Sequence, residues 1–316
     1  MGGDHAPDAV IEGARRAWEK HGVEVILTGP AELLQETGLP FFAASEVVGM
    51  AEEPGQAIRR KKDSSLVRAA ELVKANKAAA MVSAGNTGAA MAAALLRMGR
   101  LPGVARPAIA TTLPVPGALP TVLLDAGANA ECSASWLVQF AEMGSVFSRL
   151  HYGIERPRVG LLSIGEEAAK GTPLVKEAHA LLSNVDNLNF IGNVEGRDLL
   201  SANVDVAVAD GFTGNVALKA LEGAVGFVSR SFIGAISADA EAKASLPSVM
   251  GALQPLLAEL DPEAQGGAML LGVDGLCVIS HGSSSPWAIE NALRMAHQLA
   301  EADMVGQMRA AVAAAS

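Results

Sequence analysis

The feature that most constrains this chain is a short apolar run that breaks into a glycine-rich turn and then starts a helix. Ala78 to Val82 leads into Ser83-Ala84-Gly85-Asn86-Thr87-Gly88-Ala89 and a small-residue helix to about Leu96. The same join recurs at Asp125-Ala126-Gly127-Ala128-Asn129, Ser163-Ile164-Gly165-Glu166-Glu167, Asp210-Gly211-Phe212-Thr213-Gly214-Asn215 and Ser280-His281-Gly282-Ser283-Ser284. Strands alternating with helices predict a layered α/β fold. Each helix start leaves backbone N–H groups unpaired at the positive end of the helix dipole, which suits an anion. One such turn says little, because any strand-to-helix connection needs a tight turn and a cap. The repetition carries the argument.

Composition agrees with strands buried on both faces. Half of the 316 residues are hydrophobic, glycine totals 33 and aromatics are 4%. Such a chain can bury an ample core as one large domain or two smaller ones. A net charge of −10 with few aromatics argues against nucleic acid as a partner. Cys132 and Cys277 lie far apart without CxxC spacing, so neither a metal cage nor a disulfide framework is expected. No signal peptide and no membrane-spanning run stands out, which points to the cytoplasm.

Met1 to Pro7 reads as a loop, followed by a helix over 8–21 with Val10, Ile11, Ala14 and Trp18 along one side. Every later loop of this kind follows a strand, so a first strand is expected upstream of Met1. Further helices are predicted over 66–76, 129–150, 172–182, 215–232 and 286–298, with Ser64 or Ser65 capping the first of these. Trp136, Leu137, Phe140, Met143 and Phe147 form the core stripe of the second. Strands are predicted over 23–28, 108–113, 121–124, 158–164, 190–193, 204–209 and 270–280. The Pro/Gly turn between 113 and 121 predicts a local hairpin that makes the sheet mixed.

Residues 233–268 differ, with Ala-rich helical stretches broken at Pro247, Pro255 and Pro262. Their apolar residues exceed what one amphipathic face needs, which predicts a helical excursion used for dimerisation, membrane contact or both. The prediction is thus a single α/β domain over 1–316, a three-layer sandwich on a largely parallel sheet. Its ligand should lie at the carboxyl ends of the strands, where the glycine-rich turns sit.

Several chemistries lack their motifs. No G-x-G-x-x-G follows a strand, and there is no Walker-type loop, no paired histidines at metal spacing and no G-x-S-x-G elbow. What remains is a set of neutral donors, Asn86, Thr87, Asn129, Thr213, Asn215 and Ser283, beside Lys170, Lys219 and His281. Such a set suits phosphate or an oxyanion more than a covalent intermediate. The dense basic run Arg59-Arg60-Lys61-Lys62 reads either as a solvated helix end or as a face toward an anion or an acidic protein.

Motifs along nearly the whole chain resemble the acyl-acyl-carrier-protein:phosphate acyltransferases (PlsX) of bacterial phospholipid synthesis. They are Met1-Gly2-Gly3-Asp4-His5-Ala6-Pro7, Lys61-Lys62-Asp63-Ser64-Ser65, the 83–89 turn, Asp125 to Asn129, Gly160 to Glu167, Lys170-Gly171, Gly192 to Gly196, Asp210 to Asn215, Gly266-Gly267-Ala268 and His281-Gly282-Ser283. The resemblance implies transfer of long-chain acyl groups from acyl carrier protein to inorganic phosphate, giving acyl phosphate. It implies a homodimer peripherally associated with a membrane surface, or with a membrane-bound glycerol-3-phosphate acyltransferase. The fold it implies resembles phosphotransacetylase and the isocitrate and isopropylmalate dehydrogenases. Neither cofactor nor metal is expected.

That reaction explains the missing nucleophile. A thiolate with a pKa of about 8.5 leaves without strong acid help. Phosphate is already an anion near neutrality, its second ionisation lying at roughly 6 in a phosphoester. The site has to align the two and stabilise the developing oxyanion. The assignment places phosphate against the 83–88 and 210–215 turns with Lys170 or Lys61. Its binding set is Gly3, Asp4, Lys61, Ser83, Gly85, Asn86, Thr87, Gly88, Asp210, Gly211, Thr213, Gly214, Gly282 and Ser283. Asn129, Asn215 or His281 donates to the oxyanion. Arg59, Arg60, Lys62, Arg97 and Arg100 are the candidate docking residues for an acidic acyl carrier protein. Competing readings are a phosphotransacetylase acting on short acyl-CoA, a decarboxylating dehydrogenase, and a non-enzymatic acyl or phosphate sensor.

Overall fold

The computed structural model describes residues 1–314. After an opening loop, α1 (Asp8–His21) leads to a small parallel pair, β1 (Leu27–Gly29) and β2 (Phe41–Ala43), joined through α2 (Ala31–Leu34). Next come α3 (Pro54–Arg60) and α4 (Ser65–Lys74). The Ser64 hydroxyl caps α4 by accepting from the Val67 amide, 3.4 Å away.

Eight strands make the main sheet: β3 (Ala80–Ser83), β4 (Ala108–Leu113), β5 (Thr121–Leu124), β6 (Arg158–Leu162), β7 (Asn189–Val194), β8 (Val206–Val208), β9 (Ala268–Leu271) and β10 (Leu276–Ile279). Their spatial order is β3-β10-β9-β4-β5-β8-β6-β7. Four of the seven neighbouring pairs are parallel, while β10/β9, β9/β4 and β4/β5 are antiparallel. The 108–124 hairpin forms as predicted and mixes the sheet.

Over this sheet lie α5 (Thr87–Ala93), continued by a π-helical turn to Met98, then α6 (Ala134–Tyr152), α7 (Pro173–Leu182), α10 (Pro286–Glu301) and α11 (Met304–Ala314). Alternate strand residues point to opposite faces, so each strand feeds two cores. Ala108, Ala110, Val278 and Val206 pack under α6, α10 and α11 on one side. Ile109, Leu270, Cys277 and Ile279 pack under α4 and α5 on the other. This is a three-layer sandwich.

The 129–150 helix starts later than expected, at Ala134, because residues 125–129 are drawn back around the Asp125 carboxylate. α8 (Gly211–Ala238) is longer than the predicted 215–232 helix, and α9 (Ala240–Leu260) runs through Pro247 and Pro255 instead of breaking there. Both prolines are exposed, and each removes one N–H from the helix ladder. α8 and α9 pack on each other, and α9 reaches the 114–120 turn where Glu259 accepts from the Gly117 amide. Phe227 and Val228 on α8 are 66% and 63% exposed. No described helix is long and apolar enough to cross a membrane.

Candidate active site

The strongest polar constellation surrounds Asp125, fully buried at the end of β5. One carboxylate oxygen accepts from the amides of Ile109, Gly127 and Ala128 at 3.0, 3.1 and 2.9 Å. The other accepts from the Asn129 amide and side-chain nitrogen at 2.7 and 2.9 Å. The start of α8 docks directly on this knot. The Gly211 amide donates to the Asn129 carbonyl at 2.8 Å. A Cβ on Gly214 would lie 2.0 Å from the Asp125 carbonyl oxygen, so only glycine fits. Asn215 donates to the Ala126 carbonyl at 3.1 Å, which leaves its second amide hydrogen free. Turns 125–129 and 210–215 are therefore one unit.

Asn129 differs. Both hydrogens of its side-chain amide are engaged, one by Asp125 and one by the Pro107 carbonyl at 2.8 Å. As placed it has none left for an oxyanion. At the start of α8, Asp210 accepts from the Thr213 amide and hydroxyl, both at 2.8 Å. A carboxylate already occupies that helix end, which weakens its appeal to a second anion.

Lys170 lies exposed on the loop after β6, with no ion pair among the described residues. Asn193 holds this loop by donating to the Glu167 carbonyl at 2.9 Å. Ser163 and Thr172 of the loop share a cavity with Asp210 and Thr213, and the buried Ser163 hydroxyl has no partner there. Lys219 pairs with Glu222 at 2.8 Å, out on the exposed surface of α8.

The remaining predicted residues gather where β3 and β10 end. The Ser280 amide donates to the Ser83 carbonyl and the Asp4 amide to the Gly282 carbonyl, each at 2.8 Å. Gly3 lies against the Ala84 and Gly282 carbonyls, and the Gly85 amide donates to the Ser83 hydroxyl at 3.2 Å. Asn86 caps α5 through the Ala89 amide at 2.9 Å. Its amide group meanwhile ties down the carbonyls of Met50 and Glu52 at 2.9 and 3.1 Å. Lys61 does similar work, reaching Glu52 at 2.6 Å and the Val47 carbonyl at 2.7 Å. Asn86 and Lys61 thus hold the 47–52 loop against the turn.

The Thr87 and Gly88 amides at the head of α5 find no acceptor among the described residues. Ser283 donates its amide to Nδ1 of His281 at 3.3 Å, with its hydroxyl 2.7 Å from the same nitrogen. In the neutral ring this leaves the proton on Nε2, a free donor in an exposed loop.

The turns therefore sit at carboxyl strand ends as expected, but not at one edge. β3, β10 and β4 run opposite to the other strands, so 83–88 and 280–284 lie at one end and 125–129, 163–172 and 210–215 at the other. α5 bridges them: Met91, one helical turn from Thr87, lines the same cavity as Asn129.

Burial pushes the Cys132 thiol up to about 11 and the Cys277 thiol up to about 12, so neither is a thiolate near neutrality. Arg59, Arg60 and Lys62 are exposed at the end of α3. Arg97 is half-buried beside Glu71 at 3.8 Å, and Arg100 donates to the Ala105 carbonyl. Ser45 and Arg68 hold the neighbouring Asp63 carboxyl down at about 2.

Sequence reasoning did not single out Asp125 alone, Ser163 or Asn193. All three stood inside quoted motifs, at 125–129, 163–167 and 192–196, but nothing in those motifs marks which side chain turns inward.

A mixed sheet of this topology, with open backbone amides and neutral side-chain donors at its strand ends, defines an α/β protein whose turns suit an anion. A model of the family described as "Fatty acid synthesis protein" matches residues 1–307. A phosphate acyltransferase of Pelotomaculum thermopropionicum is 46% identical over 99% of this chain and 93% of that protein. One of Elusimicrobium minutum is 45% identical over 99% and 94%, and one of a Nostoc species 42% identical over 98% and 94%. The chain belongs to this family of phosphate acyltransferases. In fold it is similar to a branched-chain phosphotransacylase from Enterococcus faecalis V583, with a TM-score of 0.62 and 16% identity over 95% of this chain and 96% of that one. EutD phosphotransacetylase from Staphylococcus aureus gives 0.61 and 16% over 93% and 91%.

Proposed function

We propose that the protein moves a long-chain acyl group from acyl carrier protein to inorganic phosphate by direct attack, without an acyl-enzyme. A phosphate oxygen bonds to the thioester carbonyl carbon, the C–S bond breaks, and the departing thiolate takes a proton from water. The observation that carries this reading is the head of α5, where the Thr87 and Gly88 amides are open beside the His281 loop while Asp210 already fills the head of α8. Phosphate therefore belongs at 83–88, with Gly3, Asp4, Ser83, Gly85, Gly282 and Ser283 shaping its seat. Asn215, with one free amide hydrogen, or His281, with Nε2–H, is the proposed oxyanion donor. Lys170 offers an unpaired positive charge from the loop after β6.

Arg59, Arg60 and Lys62, with Arg97 and Arg100, are the proposed docking residues for the acidic carrier. The exposed apolar surface of α8 and α9, with Phe232 at 50% and Leu257 at 37% exposure, is proposed to form a homodimer contact and a peripheral membrane contact. The decisive assay mixes acyl-acyl carrier protein, phosphate and protein, and measures free thiol with acyl phosphate. Stoichiometric release of both is expected. No thiol release, or release accompanied by an acylated protein in the mass spectrum, refutes the proposal.

A further inference from the structure

A cavity of about 350 Å³ opens beside the Asp125 knot, between α5 and the start of α6. Met91, Leu95, Pro107, Ala128, Asn129 and Trp136 line it. The core-stripe reading of Trp136 therefore holds only in part: the ring is half-buried and faces this space. The exposed Arg106 also lines it, with its guanidinium 5.1 Å from the Trp136 ring centroid. No described carboxylate pairs with it, although Glu131 also lines the cavity. Arg100 donates to the carbonyl of Ala105, the residue before Arg106, so a second guanidinium flanks the same loop. None of these features serves the phosphate seat or the oxyanion donors.

We propose that this cavity is the channel for the phosphopantetheine arm of the acyl donor, with Arg106 holding the arm's phosphate. The proposal rests on the acyl-transfer reading above. An acyl chain alone has no use for a cation, whereas an arm of methylenes and amides ending in a phosphodiester matches apolar walls with one charge at the outer end. The side-chain oxygen of Asn129 has no donor among the described residues, and so offers an acceptor to an arm N–H. The thiol end of an arm seated this way lies at the Asp125–Asn129 turn, beside Asn215. The phosphate end lies outside, on the side where an acidic carrier meets Arg100.

Calorimetry with free phosphopantetheine and with pantetheine, which lacks the phosphate, tests the channel independently of turnover. Wild type is expected to bind phosphopantetheine about tenfold or more tighter than pantetheine, the size of one charge-assisted contact. Arg106→Ala should abolish that difference and leave pantetheine binding unchanged. Leu95→Trp, which fills the cavity, should weaken both ligands. If Leu95→Trp does not fold, Arg106→Ala carries the test, because Arg106 is exposed and its replacement leaves no cavity. Equal binding of the two ligands by wild type, or no measurable binding of either, overturns the assignment. So does a Leu95→Trp variant that binds phosphopantetheine normally but prefers shorter acyl chains, which would make this the acyl pocket. Failure of thiol release with the phosphate-dependent binding intact would refute the transfer reading and leave the channel standing.

Discussion

Replacing Asp125 by Asn isolates what holds the two central turns together. The carboxylate accepts five hydrogen bonds, three on one oxygen and two on the other. An amide keeps the shape but sets an NH2 group against donors on one side. The less costly orientation faces it toward Asn129, which loses two bonds and weakens the other three. Hydrogen bonds to a charged acceptor contribute about 1.5–3 kcal/mol each, so local relaxation leaves a cost of about 4 kcal/mol. At roughly 2 °C per kcal/mol for a chain of this size, the melting midpoint should fall by about 8 °C. Urea unfolding should show the same loss with an unchanged slope. Turnover should also fall, because the turn that positions Asn215 rests on Asp125. A midpoint within about 2 °C of wild type would refute the reasoning, since two donors beside a buried side chain cannot lose their acceptor, and three more have theirs weakened, so cheaply.

Glu142 is buried on α6 with both carboxylate oxygens unpaired among the described residues, and burial pushes its pKa up to about 7. A raised folded-state pKa favours the fold below the unfolded value near 4.5, and that contribution is lost as pH rises toward 7. Glu142→Gln should therefore be nearly neutral at pH 4.5 and stabilising by about 3 kcal/mol at pH 8, read from melting curves. A difference that does not change with pH would contradict this. Asn215→Ala and Lys170→Ala should each lower turnover by about 10²; wild-type rates in both would remove them from the transition state. The rate at low acyl carrier protein should drop steeply between low salt and physiological salt, and a flat response would return Arg59, Arg60 and Lys62 to the role of a solvated helix end.

Much of the fold was legible in local pattern. Strand 108–113, the hairpin to 121–124 and the Ser64 cap depend on neighbours a few residues away, so their residue types announce them. The start of α6 was not legible, because the residues before it answer to a carboxylate whose burial depends on β4, β5 and α8. Continuation of α9 through two prolines was hidden for a related reason: their cost depends on whether the freed carbonyls meet water, and exposure is set by the whole fold.

By itself the chain determined that strands end in glycine-rich helix starts, that no motif-borne nucleophile stands among them, and that its motifs resemble a phosphate acyltransferase. Only the tertiary structure decided which turns act together. Strand direction is set by pairing between residues far apart in the chain, so it placed 83–88 and 125–129 at opposite strand ends with α5 between them. Burial then sorted similar residues into different work. Asn86, Asn129 and Lys61 spend side-chain donors on the protein itself, while Asn215 keeps one amide hydrogen, His281 its Nε2–H and Lys170 its charge without a partner among the described residues.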